Sequence, residues 1–456
     1  MTTTFRLALT LTAMLASAVS AAAQAPPVPD PAPGASAPAE DEKKAPYEGR
    51  AITMQHFRAL DQRGINVFET PKEPGVEYTG FKLDFSAAFT SQLQSLSHEN
   101  TAVPVVVNGV NTNQLADIGF GFNNSTANLY LHAQLAKGVR VQLTTYLSSR
   151  HHNEAWVKDG FILVDELPVN VGRLNTLMKY ATLRVGHMEI NYGDAHFRRT
   201  DNGNAVYNPF VGNYIMDAFT TEVGGEVYLR SKGVILMGGV TGGEIRGTVL
   251  TPEKRGPAYL GKAGFDRNVR KDLRVRMTGS LYKTNRAVNS TLYGGDRAGS
   301  RYYWVMENTQ ATETAQAFSG LINPGFRNQV TALQFNPFLK FRGLELFGVV
   351  ERAEGRATTE AANRTWNQYA ADVVYRFFPR EQVFAGLRYN KAEGTLADIT
   401  NKVGANRWQV AGGWFVTPNI LMKAEYVTQE YAGYPPANIK NGGKFHGTML
   451  EGVVAF

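Results

Sequence analysis

From Phe335 to Phe456 the chain alternates apolar and polar residues with period two, segment after segment. In Trp366–Phe378, Tyr369, Ala371, Val373, Tyr375 and Phe377 share one face, and Gln368, Asp372 and Arg376 the other. Val383, Ala385, Leu387 and Tyr389 then alternate with Gly386, Arg388 and Asn390. Trp408, Val410, Trp414 and Val416 alternate with Arg407, Gln409 and Gly413, and Ile420, Met422, Ala424 and Tyr426 with Lys423 and Glu425. Such a period makes a strand with one apolar and one polar face. The runs span roughly 10–13 residues, near the ~9–11 that cross a bilayer at a tilt.

The connections alternate too. Pro379–Glu381 and Thr417–Asn419 are short, whereas Glu354–Thr365, Glu393–Ala405 and Ala432–Lys444 are longer, polar and rich in Gly or Asn. Short turns at one end and long loops at the other predict an all-β, transmembrane, antiparallel up-and-down β-barrel. Residues 79–456 are assigned to it. Aromatic residues support two interfacial girdles, with Trp366, Tyr389, Trp408 and Tyr426 at one rim and Tyr375, Phe377 and Trp414 at the other.

The chain opens with Arg6, an apolar run from Leu7 to Val19 and small residues to Ala23. This is the pattern of a secretory signal peptide over 1–23. Loss of Arg6 with that leader lowers the formal charge from +7 to +6. Residues 24–46 are Pro- and Ala-rich and read as a disordered periplasmic linker. Residues 47–78 are either an ordered periplasmic lead-in or a partial plug of the barrel. The absence of cysteine excludes a disulfide scaffold and thiol chemistry. A mean hydropathy of -0.26 suits a wall that is half apolar around a wet lumen. Lys and Arg are scattered among strands rather than clustered with aromatics, so no nucleic-acid partner is expected.

Read in order, the first strand is Thr79–Leu93, with Phe81, Leu83, Phe85 and Phe89 facing lipid. Ser125–Ala136 and the strand from Val139 follow, joined by a tight turn at Lys137-Gly138, and then Trp156–Glu166 and Met178–Ile190. Arg140 and Arg184 face inward on this pattern. A long Gly- and Asn-rich insertion occupies 191–221. After four more strands ending at Asp272–Thr284, Ala287–Arg327 is read as one extracellular loop with its own short ribbon. The total is 16 strands. The alternative of 18 requires the Val105–Val107 run and Arg301–Glu307 both to span.

The chain ends Leu450 to Phe456, with Leu450, Val454 and Phe456 on alternate positions. This resembles the assembly signal of bacterial outer-membrane proteins. The plan of leader, linker and long meander, with Leu183-Arg184-Val185-Gly186 before Asn191-Tyr192-Gly193, is similar in architecture to the phosphate-selective porin O/P family. The resemblance implies an outer-membrane porin with both termini periplasmic and with the long loop after Leu183–Gly186 folded into the barrel.

A barrel of this size leaves an aqueous channel unless something fills it. The expected function is therefore passive diffusion of small hydrophilic solutes, with mild anion preference. The candidate constriction is His196, Arg198, Arg199 and Asp201 in the insertion, with Arg140 and Arg184 on the wall behind, because fixed guanidinium groups select anions. Arg198 and Arg199 could instead pair with Asp194 and Asp201 and fasten the loop. Asn208-Pro209-Phe210 and Asn213-Tyr214-Ile215-Met216 are expected to pack it against the wall. The alternative function is a largely closed barrel with a structural, adhesive or partner-docking role. Expected partners are hydrophilic or anionic solutes, outer-membrane lipid and lipopolysaccharide. A homotrimer and a periplasmic partner for the tether are compatible with this plan. No hydrolase or phosphate-binding motif is present, so no enzyme activity or cofactor is expected. His151-His152 with Glu154 is a weak metal pattern, and no metal site is assigned.

Overall fold

Each of the long strands pairs antiparallel with its sequence neighbours, and the last closes onto the first. The computed structural model describes residues 51, 53–54, 57–69, 76–148, 155–244, 252–295, 301–312 and 320–456. The assigned leader 1–23, the linker 24–46 and the His151-His152-Glu154 cluster lie outside the described residues. The first half of the ring is β1 (Lys82–Glu99), β4 (Phe120–Ala136), β5 (Val139–Ser148), β6 (Ala155–Val164), β7 (Ala181–Glu189), β8 (Thr221–Ser231), β9 (Val234–Thr241) and β10 (Ala258–Arg270). The second half is β11 (Leu273–Thr284), β12 (Gln329–Phe341), β13 (Leu344–Arg356), β14 (Arg364–Phe377), β15 (Val383–Gly394), β16 (Val403–Thr417), β17 (Ile420–Ala432) and β18 (Lys444–Ala455). The ring has sixteen strands.

Closure is completed by Ala87 and Phe456, whose backbones exchange hydrogen bonds of 2.8 and 2.9 Å across the seam. Since every strand has two partners, no sheet edge is left for lipid to meet. The outer face is apolar: Phe85 is 62% exposed and Trp408 48%, while the inward Arg388 and Asn390 are fully covered. That inversion of the soluble pattern is what a hydrocarbon solvent requires. At the end where β1 begins and β18 finishes, turns are tight except for the 165–180 connection from β6 to β7, which holds a short helix (Arg173–Leu177). Lys232 and Gly233 both adopt positive φ, of 48° and 80°, the geometry a two-residue hairpin needs.

The Val105–Val107 run does not span, in keeping with sixteen strands, and supplies part of a small hairpin, β2 (Val106–Val107) with β3 (Val110–Asn111). Two expectations change. Within Ala287–Arg327 the described residues hold no strand. The segment folds into the barrel instead, burying Tyr302, Tyr303, Val305 and Met306. Gln94 exchanges two 2.9 Å hydrogen bonds with the Tyr303 backbone, so the wall fixes this loop directly. Finally, Trp366 belongs to no lipid girdle. It lies on the even, inward face of β14, fully covered, with its indole N–H donating to the Thr395 carbonyl at 2.8 Å.

The Trp366 ring lies against Gly394, where an added Cβ would stand 2.4 Å from the ring carbons. Gly279 has open space at the same atom. Gly394→Ala should therefore lower the heat-modifiable, folded fraction in a gel-shift assay, by about 1–3 kcal/mol of overpacking. Gly279→Ala should leave it unchanged.

Candidate functional site

Residues 190–220 leave the far end of β7 and fold down into the lumen, where nearly all of them are buried. A loop can do this only if its backbone polar groups find partners away from water. The wall provides them. Val211 N–H donates to Glu425 at 2.8 Å, Ile215 N–H to Asn390 at 2.6 Å and Met216 N–H to Gln368 at 2.8 Å. Lys423 donates at 3.0 Å to each of the carbonyls of Ala205, Asn208 and Phe210. The apolar side chains fill the gaps, and Arg388 sits 4.1 Å from the ring centres of both Phe210 and Tyr214. The sequence-based packing of Asn208–Phe210 and Asn213–Met216 corresponds to this geometry.

A second element enters from the opposite end. Residues 57–69 lie in the half of the lumen nearer the tight turns, where Gln62 N–H bonds the Pro418 carbonyl at 2.9 Å. Glu69 contacts Arg276 at 2.8 Å and Lys262 at 3.3 Å. Burial would raise the Glu69 carboxyl, but the charges of Arg276 and Lys262 outweigh it and hold it well below the usual range. Gly64 makes the tight passage possible, since a Cβ there would collide with the Ala59 carbonyl and the Tyr207 ring.

The charged loop residues are paired, with partners other than those nearest in sequence. Arg199 forms a two-pronged pair with Asp217, Nε lying 2.7 Å from one carboxylate oxygen. Arg198 reaches Glu345 at 3.4 Å and bonds Asn66. Asp194 accepts from Arg276 at 2.7 Å and Lys262 at 2.9 Å. Asp201 engages Lys158 and the Tyr146 hydroxyl. His196 is held between Glu189 at 3.0 Å and Asn191 at 3.1 Å. Its burial outweighs the Glu189 hydrogen bond and lowers its pKa from the usual value. On the wall, Arg140 pairs with Asp165 at 2.9 Å, and Arg184 approaches Glu226 at 3.6 Å.

Between these inserts and the wall of β5–β8 remains a cavity of about 220 Å³. Arg184, His196, Arg199 and Asp201 line it; Arg140 and Arg198 do not. It shares Phe68, Glu69 and Arg230 with a mouth of about 1370 Å³ at the end carrying the tight turns. Lys158, Asp159, Glu189 and Arg58 also line it and were missed by sequence reasoning. The reason at Lys158-Asp159 is a register shift: Thr144 pairs with Asp159 and Thr145 with Val157. A bulge of this kind turns two consecutive residues to one face, which no period-two reading can anticipate.

The fold and site define a sixteen-stranded transmembrane barrel of porin-like plan, narrowed by an inward-folded loop. No protein-family model and no curated protein matches the chain. Among solved structures, the anion-selective porin from Comamonas acidovorans superposes with a TM-score of 0.51 at 11% identity, covering 82% of this chain and 100% of that one. The outer membrane channel DcaP of Acinetobacter baumannii gives 0.49 at 9% identity, over 83% and 99%. OprB of Pseudomonas putida gives 0.48 at 10% identity, over 82% and 94%. The likeness is one of fold.

Breaking the buried Arg199–Asp217 pair tests whether it latches the loop. Arg199→Gln leaves a buried carboxylate without its partner, a cost of about 3–5 kcal/mol. The loop should then become cleavable by protease in the folded, detergent-solubilised protein. Replacing both members, as Arg199→Met with Asp217→Leu, should restore most of the resistance.

Proposed function

We propose that the protein is an outer-membrane channel for small hydrophilic solutes, with passage confined to the off-centre space beside β5–β8. The observation that carries this reading is the charge-lined cavity of about 220 Å³, which shares Phe68, Glu69 and Arg230 with the wide mouth. In this reading residues 1–23 are the signal peptide, residues 24–46 the periplasmic linker and residues 57–69 a partial plug. The cavity lining carries Arg58, Lys158, Arg184, Arg199 and Arg230 against Glu69, Asp159, Glu189 and Asp201. Arg58, which contacts no carboxylate among the described residues, and Arg184, whose nearest is Glu226 at 3.6 Å, support mild anion preference. Charges farther than roughly 8 Å from the path are screened at physiological ionic strength, so this lining governs selectivity. Arg198 and Arg199, engaged by Glu345 and Asp217, act here mainly as latches.

The protein in planar bilayers should give small, steady conductance steps, with reversal potentials under a KCl gradient favouring chloride. Arg184→Glu should move them toward potassium, more at low salt than at high. Deletion of residues 57–69 should raise the step size severalfold, on the order expected when a filled barrel is opened to water. A wild type that prefers potassium would sink the anion assignment.

The deep burial of the two folded-in loops favours a second reading, a largely closed barrel with a structural or docking role. It predicts no steps in the wild type and steps only after deletion.

We further propose that both termini are periplasmic, as the short-turn end requires. Cysteines at Asn289 and Asn363 should then be labelled on intact cells. One at Glu381 should be labelled only once the outer membrane is opened.

A further inference from the structure

We infer that the cavity between the N-terminal segment and β5–β8 is a binding site for a small solute with one carboxylate on an aromatic or branched apolar body, anchored by Arg58. The inference deepens the channel reading and rests on it for the solute's route.

Arg58 differs from most lumen arginines; Arg407 also meets no carboxylate, but it is fully buried with Nε, Nη1 and Nη2 all donating, to Gln429, Asn213 and Gly320. Arg198, Arg199, Arg276, Arg376 and Arg388 each meet a carboxylate. Arg58 meets none among the described residues. Its Nε donates to the Gly64 carbonyl at 2.9 Å and its Nη2 to the Phe197 carbonyl at 3.0 Å, while its guanidinium lies 3.4 Å from the centre of the Tyr207 ring. Nη1 makes no hydrogen bond within the described residues, and the side chain keeps part of its surface open to the cavity. Burial lowers its pKa to about 10, which leaves it charged at neutral pH. An enclosed cation with no carboxylate in direct contact is costly, and an anion supplied by a ligand relieves that cost.

The cavity's other charges are mostly committed. Glu69 pairs with Arg276 and Lys262, Asp201 with Lys158, and Glu189 with Lys158 and His196. Arg184 contributes a second cationic face, with a buried Nε that finds no acceptor and Glu226 no nearer than 3.6 Å. Asp159 is in no ion pair among the described residues, and its charge opposes a second carboxylate on the ligand. Phe57, Leu60, Phe68, Phe161 and Leu163 supply apolar surface to the same space. The volume, about 220 Å³, compares with the ~150 Å³ known to hold a benzene ring. One ring bearing one carboxylate fits both the size and the charge.

The test uses the full folded barrel in detergent, titrated calorimetrically with benzoate, benzyl alcohol and acetate. Benzoate should bind saturably. Benzyl alcohol, lacking the charge, and acetate, lacking the ring, should each bind about tenfold or more weakly. Arg58→Gln should lose about tenfold or more of the benzoate affinity, and Arg58→Lys should keep most of it. Leu163→Trp, which fills the cavity and leaves Arg58 in place, should abolish binding, and it serves as the deciding variant where Arg58→Gln fails to give a heat-modifiable barrel. Benzoate affinity unchanged in Arg58→Gln or in Leu163→Trp overturns the site, as does acetate binding as well as benzoate. Conductance of the same preparations separates the two readings. A protein that passes KCl without binding benzoate overturns the site alone, and one that binds benzoate without conducting overturns the channel alone.

Discussion

The inward face of the barrel must satisfy a peptide backbone, and much of the structure follows from that requirement. A loop that leaves water takes with it N–H and C=O groups whose desolvation costs about 1–3 kcal/mol each if unpaired. The inward residues of β14–β17 meet that demand for residues 190–220. Gln368, Asn390 and Glu425 accept from its amides, and Lys423 and Arg388 donate to its carbonyls. Polar faces that would line a water-filled channel in an open barrel here hold a loop in place.

Ion pairs complete the filling. Asp194 is the junction, because Lys262 on β10 and Arg276 on β11 both reach it, and both also reach Glu69 of the N-terminal segment. Two inserts from opposite ends of the barrel are thus tied to the same two wall cations. Such pairs add little net stability over apolar packing, but they are unforgiving of loss of one partner. They specify where each insert sits. The remaining space is displaced toward β5–β8, where the inserts and wall leave the cavity with Arg58 and Arg184 on its surface.

The role of each arginine depends on this arrangement. Reading Arg198 and Arg199 as selectivity residues assumes that a loop arginine faces solvent. Asp217, eighteen positions from Arg199, and Glu345, on a distant strand, engage them instead. Arg58 has no such carboxylate, whereas its neighbour Arg63 pairs locally with Asp61, two positions away, at 2.6 Å. Whether an arginine is a latch or a free cation is set by what the fold brings beside it.

The sequence by itself determined the barrel wall. Period-two alternation with alternating turn lengths is a local property, and a strand in lipid has no other way to hide its backbone. Strands β12–β18, the tight turns at Lys137-Gly138 and Pro418-Asn419, and the inward direction of Arg140 and Arg184 were all legible in it. The tertiary structure alone decided what occupies the interior. Lys158-Asp159 share a face because a bulge breaks the period. The insertion of 57–69, 190–220 and 301–308 depends on contacts between residues far apart in the chain. No short-range pattern encodes such contacts, because their energy exists only once the ring has closed around them.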